Sequence, residues 1–551
     1  MARTTPPPSC PWSFQVSSCR LDTLPEELLL RLIANLRSPD LLSVALVSRS
    51  FCSLVDNVAE RRVRSTLATR RDNERWTRTL QFASALAALP APSISAGQSH
   101  ALWVRGGCLC AVGGAASTDD DNHCLGLGGT RQQNRFVPVP AGSPLFRVHI
   151  TEVSAGYLHS LALSDAGCVW SFGSNDFGQL GRGFVGGHHG PVAVIAEGCR
   201  HVAAGGFSSF ACRLDGRVLA FGGNAYGELG LPPPLGDLPQ PSPTLVDALQ
   251  DAHIVQAAAG RAHSLMLSST GTVYAAGRDE YGQLGVGSEG GRTGAALCHR
   301  LIRSLAEHRV VLVVCGNNHS LAVTDGGALW VWGCNDAEQL GIPSSDDSPP
   351  QPVMMPWLWD AERPSRTARS VHPDKRSLMP VHVPMPGVVI HASAGHAHSL
   401  ALVQTADGRR YVHGFGHNGA RQRGSDSHLQ VAGLPGPRIS HGADARVRGE
   451  RDMAGMVEAP SFGDLVDRDL VDREEPPRTA AGENAQPPPA SALLRVEAGS
   501  FISFVEAATG VITWGGDHPA CLMQTGRGLL PEHVTKSARM GLSDPAFIEP
   551  T

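Results

Sequence analysis

Along most of this chain, short apolar stretches alternate with glycine-centred turns. Ser160-Leu161-Ala162-Leu163 begins an extended run, Asp165-Ala166-Gly167 supplies a tight turn, and Val169 to Phe172 returns. This spacing predicts a β-hairpin. Asp215-Gly216, Thr270-Gly271, Asp325-Gly326 and Asp407-Gly408 occupy the same turn in later copies. The unit SAGYLHSLALSDAGCVWSFGSNDFGQLG (154–181) recurs over 203–230, 258–285 and 314–341. Degraded copies over 95–114, 393–419 and 497–516 bring the number of repeats to seven.

The leading glycines are Gly97, Gly156, Gly205, Gly260, Gly316, Gly395 and Gly499. In the four central copies a second glycine (Gly173, Gly222, Gly277, Gly333) follows 17 positions later, while the repeats themselves are spaced by 49 to 56 residues. A fixed internal distance with a variable external one describes a rigid unit joined by loops that tolerate insertion. One hairpin unit cannot cover both faces of its own sheet. Stacking units around an axis covers them and leaves few edges exposed, and the hairpin pattern favours this over a solenoid. Trp170, Phe221, Trp332 and Trp514, near the second glycine, are expected to fill the space between stacked sheets.

These segments resemble the repeats of the regulator of chromosome condensation family, whose motif runs AGxxHSLAL…DGxVYxWGxNxxGQLG. The resemblance covers roughly residues 91–530 and implies a seven-bladed propeller. Two copies depart from the motif. His413-Gly414-Phe415-Gly416 carries an extra glycine, and Cys521-Leu522-Met523 stands near the expected Gln-Leu-Gly of the seventh.

Residues 21–65 follow a different, helical period. Pro25 with Glu26 and Glu27 opens a helix: proline fits the first turn and acids there complement the dipole. Leu28, Leu32 and Leu36 recur at i, i+4 and i+8 with Leu29 and Ile33 beside them, Leu41, Leu42, Ala45 and Leu46 mark a second helix, and Phe51, Leu54, Val55 and Val58 a third. So short a module cannot bury this much apolar surface alone, which implies a docking partner or a neighbour.

The stretch resembles an F-box at Leu24-Pro25, Leu28-Leu29, Ile33, Leu36, Asp40-Leu41-Leu42, Val47-Ser48-Arg49 and Phe51. In that family these positions dock a helical adaptor, which links the protein to a cullin within an SCF ubiquitin ligase. The resemblance therefore implies adaptor-binding roles for Leu24, Pro25, Leu28, Leu29, Ile33, Leu36, Leu41, Leu42, Val47 and Phe51. A helical cap packed on the propeller is the alternative that the apolar pattern leaves open.

The expected fold is thus mainly β, a seven-bladed β-propeller preceded by a small all-α, F-box-like module. The expected boundaries are a Pro-rich disordered tail (1–20), the F-box-like module (21–65), an Arg-rich helical linker (66–90) and the propeller (91–543). Disordered insertions are expected at 343–388 and 425–492, which are rich in Pro, Asp, Arg and Gly without periodicity. Seven arginines between Glu60 and Arg78 read as a solvated linker helix in preference to a nucleic-acid or acidic-partner patch.

Composition narrows the function. A net charge of −5 argues against a protein held on nucleic acid by a chain-wide basic field. No apolar run reaches membrane-spanning length. The thirteen Cys lack paired CxxC spacing, and Cys168, Cys212, Cys315 and Cys334 sit in strand-like stretches, so buried free thiols in a reducing compartment, cytosol or nucleus, are expected.

Five histidines (His100, His159, His263, His319, His398) stand three places after a leading glycine. Repeat symmetry spreads them around the axis, so they read as hydrogen-bonding framework that ties strands within each blade, not as a metal site. Asp119-Asp120-Asp121-Asn122-His123-Cys124 reads as a solvated turn in preference to a cation loop. Only Lys375 and Lys536 are lysines, and no phosphate loop, GxSxG or HExxH is present. No catalytic residue, cofactor or metal is expected. These readings point to a non-catalytic substrate receptor of an SCF-type ligase, with adaptor and cullin as partners and a target protein of unknown identity on the propeller. The alternatives are a guanine-nucleotide exchange factor for a small GTPase, or a non-catalytic scaffold.

Overall fold

The computed structural model describes residues 34–36, 49–89, 93–114, 123–128, 133–232, 238–287, 295–342, 376–417, 456–458, 493–500, 502–507 and 510–515. The chain divides into two compact units, residues 1–84 and 85–551. No helix among the described residues is long and apolar enough to cross a membrane.

In the first unit, helix α1 (Arg49–Val63) buries Val55, Val58, Ala59 and Val63, one stripe at helical spacing. Arg61 and Arg62 stand in its last turn, where cations complement the dipole. The Arg62 guanidinium donates to the carbonyls of Ala34 and Leu36, fastening the 34–36 turn to α1.

The Arg-rich stretch expected as one linker helix is interrupted. Ser65 and Thr66 hydroxyls donate to the last carbonyls of α1, and Asn73 has a φ of 59°, a left-handed conformation no helix continues through. Helix α2 (Trp76–Ala88) then starts on a side-chain cap, with Thr77 N donating to Asp56 Oδ1 at 2.8 Å. It buries Thr79, Leu80, Phe82 and Ala83.

The second unit is built of antiparallel sheets, one per repeat. The second repeat is representative: Ile150–Ala155, His159–Ser164, Val169–Ser174 and His188–Ile195 lie in sequence order from the inner to the outer edge. Its hairpin closes at Gly167, whose φ of 77° and contact at 2.9 Å from Cys199 O exclude a side chain.

The structure corrects the expected blade count: among the described residues the propeller has six blades, each a four-stranded sheet, not seven. The seventh repeat supplies only a three-stranded sheet, Leu493–Ala498, Ile502–Ala507 and Gly510–Gly515. In the central blades the outermost strand follows a Gly-Gln-Leu-Gly, Gly-Glu-Leu-Gly or, in the fifth, Glu-Gln-Leu-Gly turn; the seventh repeat has Cys521-Leu522-Met523 there, and no fourth strand follows among the described residues.

The 343–388 insertion is corrected as well. Its Arg376–Val383 portion is the outer strand of the fifth blade, paired with Leu329–Cys334. Within 425–492, Met456–Glu458 pairs with Arg410–Gly416.

The core lies between sheets. Leu265, Leu267 and Ile302 of the fourth blade meet Val310, Val313 and Trp332 of the fifth, while Leu161 and Leu163 of the second meet Ala211 and Phe221 of the third. The rings expected near the second glycine sit directly before it: Phe172, Phe221, Trp332 and Phe415 are buried, whereas Trp170, two residues earlier, is only half-buried. Each ring lies over a glycine of the preceding repeat, respectively Gly126, Gly181, Gly285 and Gly341. The fourth repeat has Ala276 in that place, and the His299 ring of its outer strand lies against Gly230 instead.

Candidate functional site

The repeated histidines are framework, but they do not tie strands within a blade as expected. Each reaches into the next sheet. His100 Nε2 lies 2.7 Å from Ser160 Oγ, His159 2.9 Å from Ser209, His263 3.0 Å from Ser320, His319 2.9 Å from Ser399 and His398 3.0 Å from Ser503. Each of the first four serines donates its own proton to a backbone carbonyl, those of Cys124, Gln179, Gln283 and Gln339. The histidine Nε2–H must therefore be the donor to the serine. Burial holds His100 down at about 4 and His159, His263 and His319 at about 3, so these rings are neutral.

The leading glycine makes room for the ring. A Cβ on Gly260 would stand 2.3 Å from His263 Cε1 and 2.5 Å from Gly316 O. The five links run between successive repeats except at two junctions. Between the third and fourth repeats Ser208 replaces the histidine. Between the seventh and first, Ile502 faces the first sheet, where Ala101 replaces the serine, and both residues are buried in one apolar cluster. Donor and acceptor are lost together there, so no buried polar group is left unpaired.

A polar wall lines the channel enclosed by the inner strands, around a cavity of ≈ 170 Å³. Glu152 Oε1 lies 2.7 Å from His201 Nδ1 and accepts from Val202 N, while His201 Nε2 donates to Ala257 O at 2.8 Å. Burial disfavours the imidazolium of His201, but the Glu152 charge and these hydrogen bonds outweigh it and raise its pKa. Arg495 and Glu497 form a second pair at 3.6 Å. Gln256 bonds both to Val313 N and to Val313 O, and Ser95, Ser154 and Ser393 accept from backbone N–H groups of the next sheet. This wall stitches the ring together.

At one end the channel narrows through the leading glycines into a mouth of ≈ 70 Å³ lined by the residues that follow them, Gln98, Tyr157, Gly206, Arg261, Asn317, His396 and Ser500. Gln98 N donates to Gly156 O, Tyr157 N to Gly205 O and Ser500 N to Gly97 O, the last joining the seventh sheet to the first. Tyr157 packs edge-on to Phe207 at 5.6 Å, and Phe207 meets Phe177 at 4.6 Å. Position in the repeat, one place after the leading glycine, was the sequence signal for this mouth.

Of the residues expected to dock an adaptor, Leu36 is half-buried and held through its carbonyl by Arg62, and Phe51 lies in the first turn of α1. Leu24, Pro25, Leu28, Leu29, Ile33, Leu41, Leu42 and Val47 lie outside the described residues. So do Asp119 to Asn122; His123 and Cys124 begin a short 3-10 turn. No group of three metal-ligating side chains occurs among the described residues. Cys110, Cys124, Cys199, Cys212 and Cys334 are buried free thiols, Cys315 and Cys168 are half-buried, and Cys168 sits in a turn outside the strands.

Residues 21–63 match the F-box-like family model, and residues 67–372 match the RCC1-like domain model. The probable E3 ubiquitin-protein ligase HERC4 of Rattus norvegicus is 31% identical over 280 residues, which is 51% of this chain and 19% of that protein. The mitochondrial RCC1 domain-containing protein RUG3 of Arabidopsis thaliana is 29% identical over 281 residues, 51% of this chain and 46% of that one. The chain thus spans about a fifth to a half of the length of these relatives. Prp20p of Saccharomyces cerevisiae superposes with a TM-score of 0.52 at 21% identity, covering 82% of this chain and 86% of that structure, a likeness of fold. With more than half its length matched, this chain belongs to the RCC1-like domain family, and it carries an F-box-like module ahead of its repeats.

Proposed function

We propose that this protein is the substrate-recognition subunit of an SCF-type ubiquitin ligase. The observation that carries the reading is the pairing, on one chain, of an F-box-like module (21–63) with an RCC1-like propeller (67–372). The first is a docking element and the second a rigid scaffold with variable loops. In this reading Leu24, Pro25, Leu28, Leu29, Ile33, Leu36, Leu41, Leu42, Val47 and Phe51 form the apolar face that meets the adaptor, and through it a cullin. The propeller holds the protein to be modified. The chain performs no bond chemistry; it raises the effective concentration of a target lysine near a ubiquitin-loaded partner. The free thiols suit a reducing compartment, cytosol or nucleus.

Co-purification of the full chain with adaptor and cullin tests the reading, comparing wild type with a Leu24→Ala/Pro25→Ala double variant. The expected outcome is capture by the wild type, lost in the variant, whose repeat unit keeps its thermal transition. Capture that survives the double substitution, or no capture by the wild type, refutes it.

A further inference from the structure

The channel mouth has a charge and shape of its own. Its lining holds Arg261 and no acidic residue. Arg261 is exposed, and its guanidinium has no carboxylate partner among the described residues. The described groups nearest it, His396 and Tyr157, are neutral. Burial, then the Arg261 and His417 charges, hold His396 down at about 4, and burial raises the Tyr157 phenol to about 12 while it donates to Asn317 Oδ1. Of the acids on the neighbouring loops, Glu280 pairs with Arg278, which lies between the Tyr226 and Tyr281 rings, while Asp176 and Asp336 accept hydrogen bonds from Ser174 and Cys334 of their own loops. Arg261, without a carboxylate partner among the described residues, therefore stands near Tyr157, the first in a run of three rings that continues through Phe207 and Phe177. Aromatic rings with arginine are the composition of binding hot spots.

We propose that this mouth grips the target through one carboxylate side chain seated on Arg261, with a neighbouring aromatic side chain of the same segment packed on Phe207 and Phe177. The inference rests on the reading of the propeller as the target-holding part. The occupant is a protein segment with an aspartate or glutamate next to an aromatic residue. A cavity of ≈ 70 Å³ takes a few water-sized groups, enough for a carboxylate tip and too little for a cofactor. A single cation balances one charge, so a carboxylate fits better than a doubly charged phosphate, which draws on clustered arginines.

The test is fluorescence anisotropy of the full chain, with adaptor capture measured in parallel, against a fluorescein-labelled peptide library. The library has Glu-Phe fixed at its centre with randomised flanks. Matched libraries carry Gln-Phe, Lys-Phe and phosphoserine-Phe. The Glu-Phe library should bind saturably, with about tenfold or greater loss on the Gln exchange. Arg261→Glu should lose the Glu-Phe library to a similar degree and gain the Lys-Phe one. Phe207→Ala should weaken both. Arg261 is exposed, so the charge reversal leaves the fold and adaptor capture unchanged, which circular dichroism and pull-down verify. Equal binding by wild type and Arg261→Glu overturns the proposal, as does tighter binding of the phosphoserine library. So does failure of the Glu-Phe library to bind a wild-type chain that captures its adaptor. If the mouth binds as expected while the chain captures no adaptor, the ligase reading fails and the recognition site stands.

Discussion

Lowering the pH from 7 to 5 should unfold the propeller through its interblade histidines. His100, His159, His263 and His319 are buried and neutral, held by burial at about 4 for the first and about 3 for the other three. In the unfolded chain each returns to about 6.5. Their folded values are depressed, so the unfolded state binds more protons throughout the interval between the two values. The stabilisation is complete above about pH 6.5 and is lost as the pH falls through about 4 for His100 and about 3 for the other three. At pH 5 the unfolded chain carries close to one extra proton on each ring. Four such protons correspond to about 5 kcal/mol lost between pH 6 and pH 5. That is comparable to the whole stability of many domains, about 5–15 kcal/mol. Urea unfolding followed by tryptophan fluorescence at a series of pH values measures the slope. His159→Gln sharpens the test: its side-chain amide can still donate to Ser209, but it cannot titrate. Its slope should fall by about one proton, or about 1.4 kcal/mol per pH unit. A free energy that changes by less than about 1 kcal/mol between pH 7 and pH 5, or an unaltered slope in His159→Gln, refutes the reasoning.

Two further substitutions probe the ring itself. Gly260→Ala should cost about 3 kcal/mol in urea unfolding, since its methyl group meets His263 and the Gly316 carbonyl. Gly142→Ala, with nothing within 4 Å, should stay within about 0.5 kcal/mol; equal effects would contradict the steric argument. Glu152→Gln should drop the pKa of His201 below the ordinary histidine value, since burial then acts without its counter-charge. The native pair has a raised histidine, so its contribution is present at low pH and fades as the pH rises through the folded value. The variant should therefore be destabilised by about 3 kcal/mol at pH 6 and by less at pH 9. An NMR titration showing an unmoved His201 would count against the assignment.

The internal rhythm of the repeat was legible because it is local. Gly156 and Gly173 lie 17 residues apart, and both are constrained by the stretch between them: a Cβ on Gly156 would meet the His159 ring, and one on Gly173 would meet Leu158 O and His159 Cα. The hairpin at Asp165-Ala166-Gly167 declared itself for the same reason. The histidine's partner did not. His159 bonds Ser209 and His398 bonds Ser503, across sequence separations of 50 and 105 residues that depend on loop length, so no single repeat displays the pair. The outer strand Arg376–Val383 escaped notice because it follows a long insertion and, at the edge of its sheet, pairs with only one strand, which weakens alternation. The positions proposed to meet an adaptor were read from motif and apolar period, while Arg261 and Phe207 carried no motif because each appears in one repeat only.

That difference explains where recognition can reside in such a ring. Positions that repeat are those most junctions share: glycine for ring clearance, histidine for the next serine, an aromatic for the wedge between sheets. A residue at the same site in all copies cannot distinguish one direction around the axis from another, so it cannot orient a partner. The place directly after the leading glycine is free of these demands, since its backbone makes the interblade bonds of Gln98, Tyr157 and Ser500 and leaves the side chain to vary. Gln98, Tyr157, Gly206, Arg261, Asn317, His396 and Ser500 differ in chemistry, apart from the two amides, although they share one geometry. The repeat supplies the geometry and its variable position breaks the symmetry, which a ring must do before it can hold one target in one orientation.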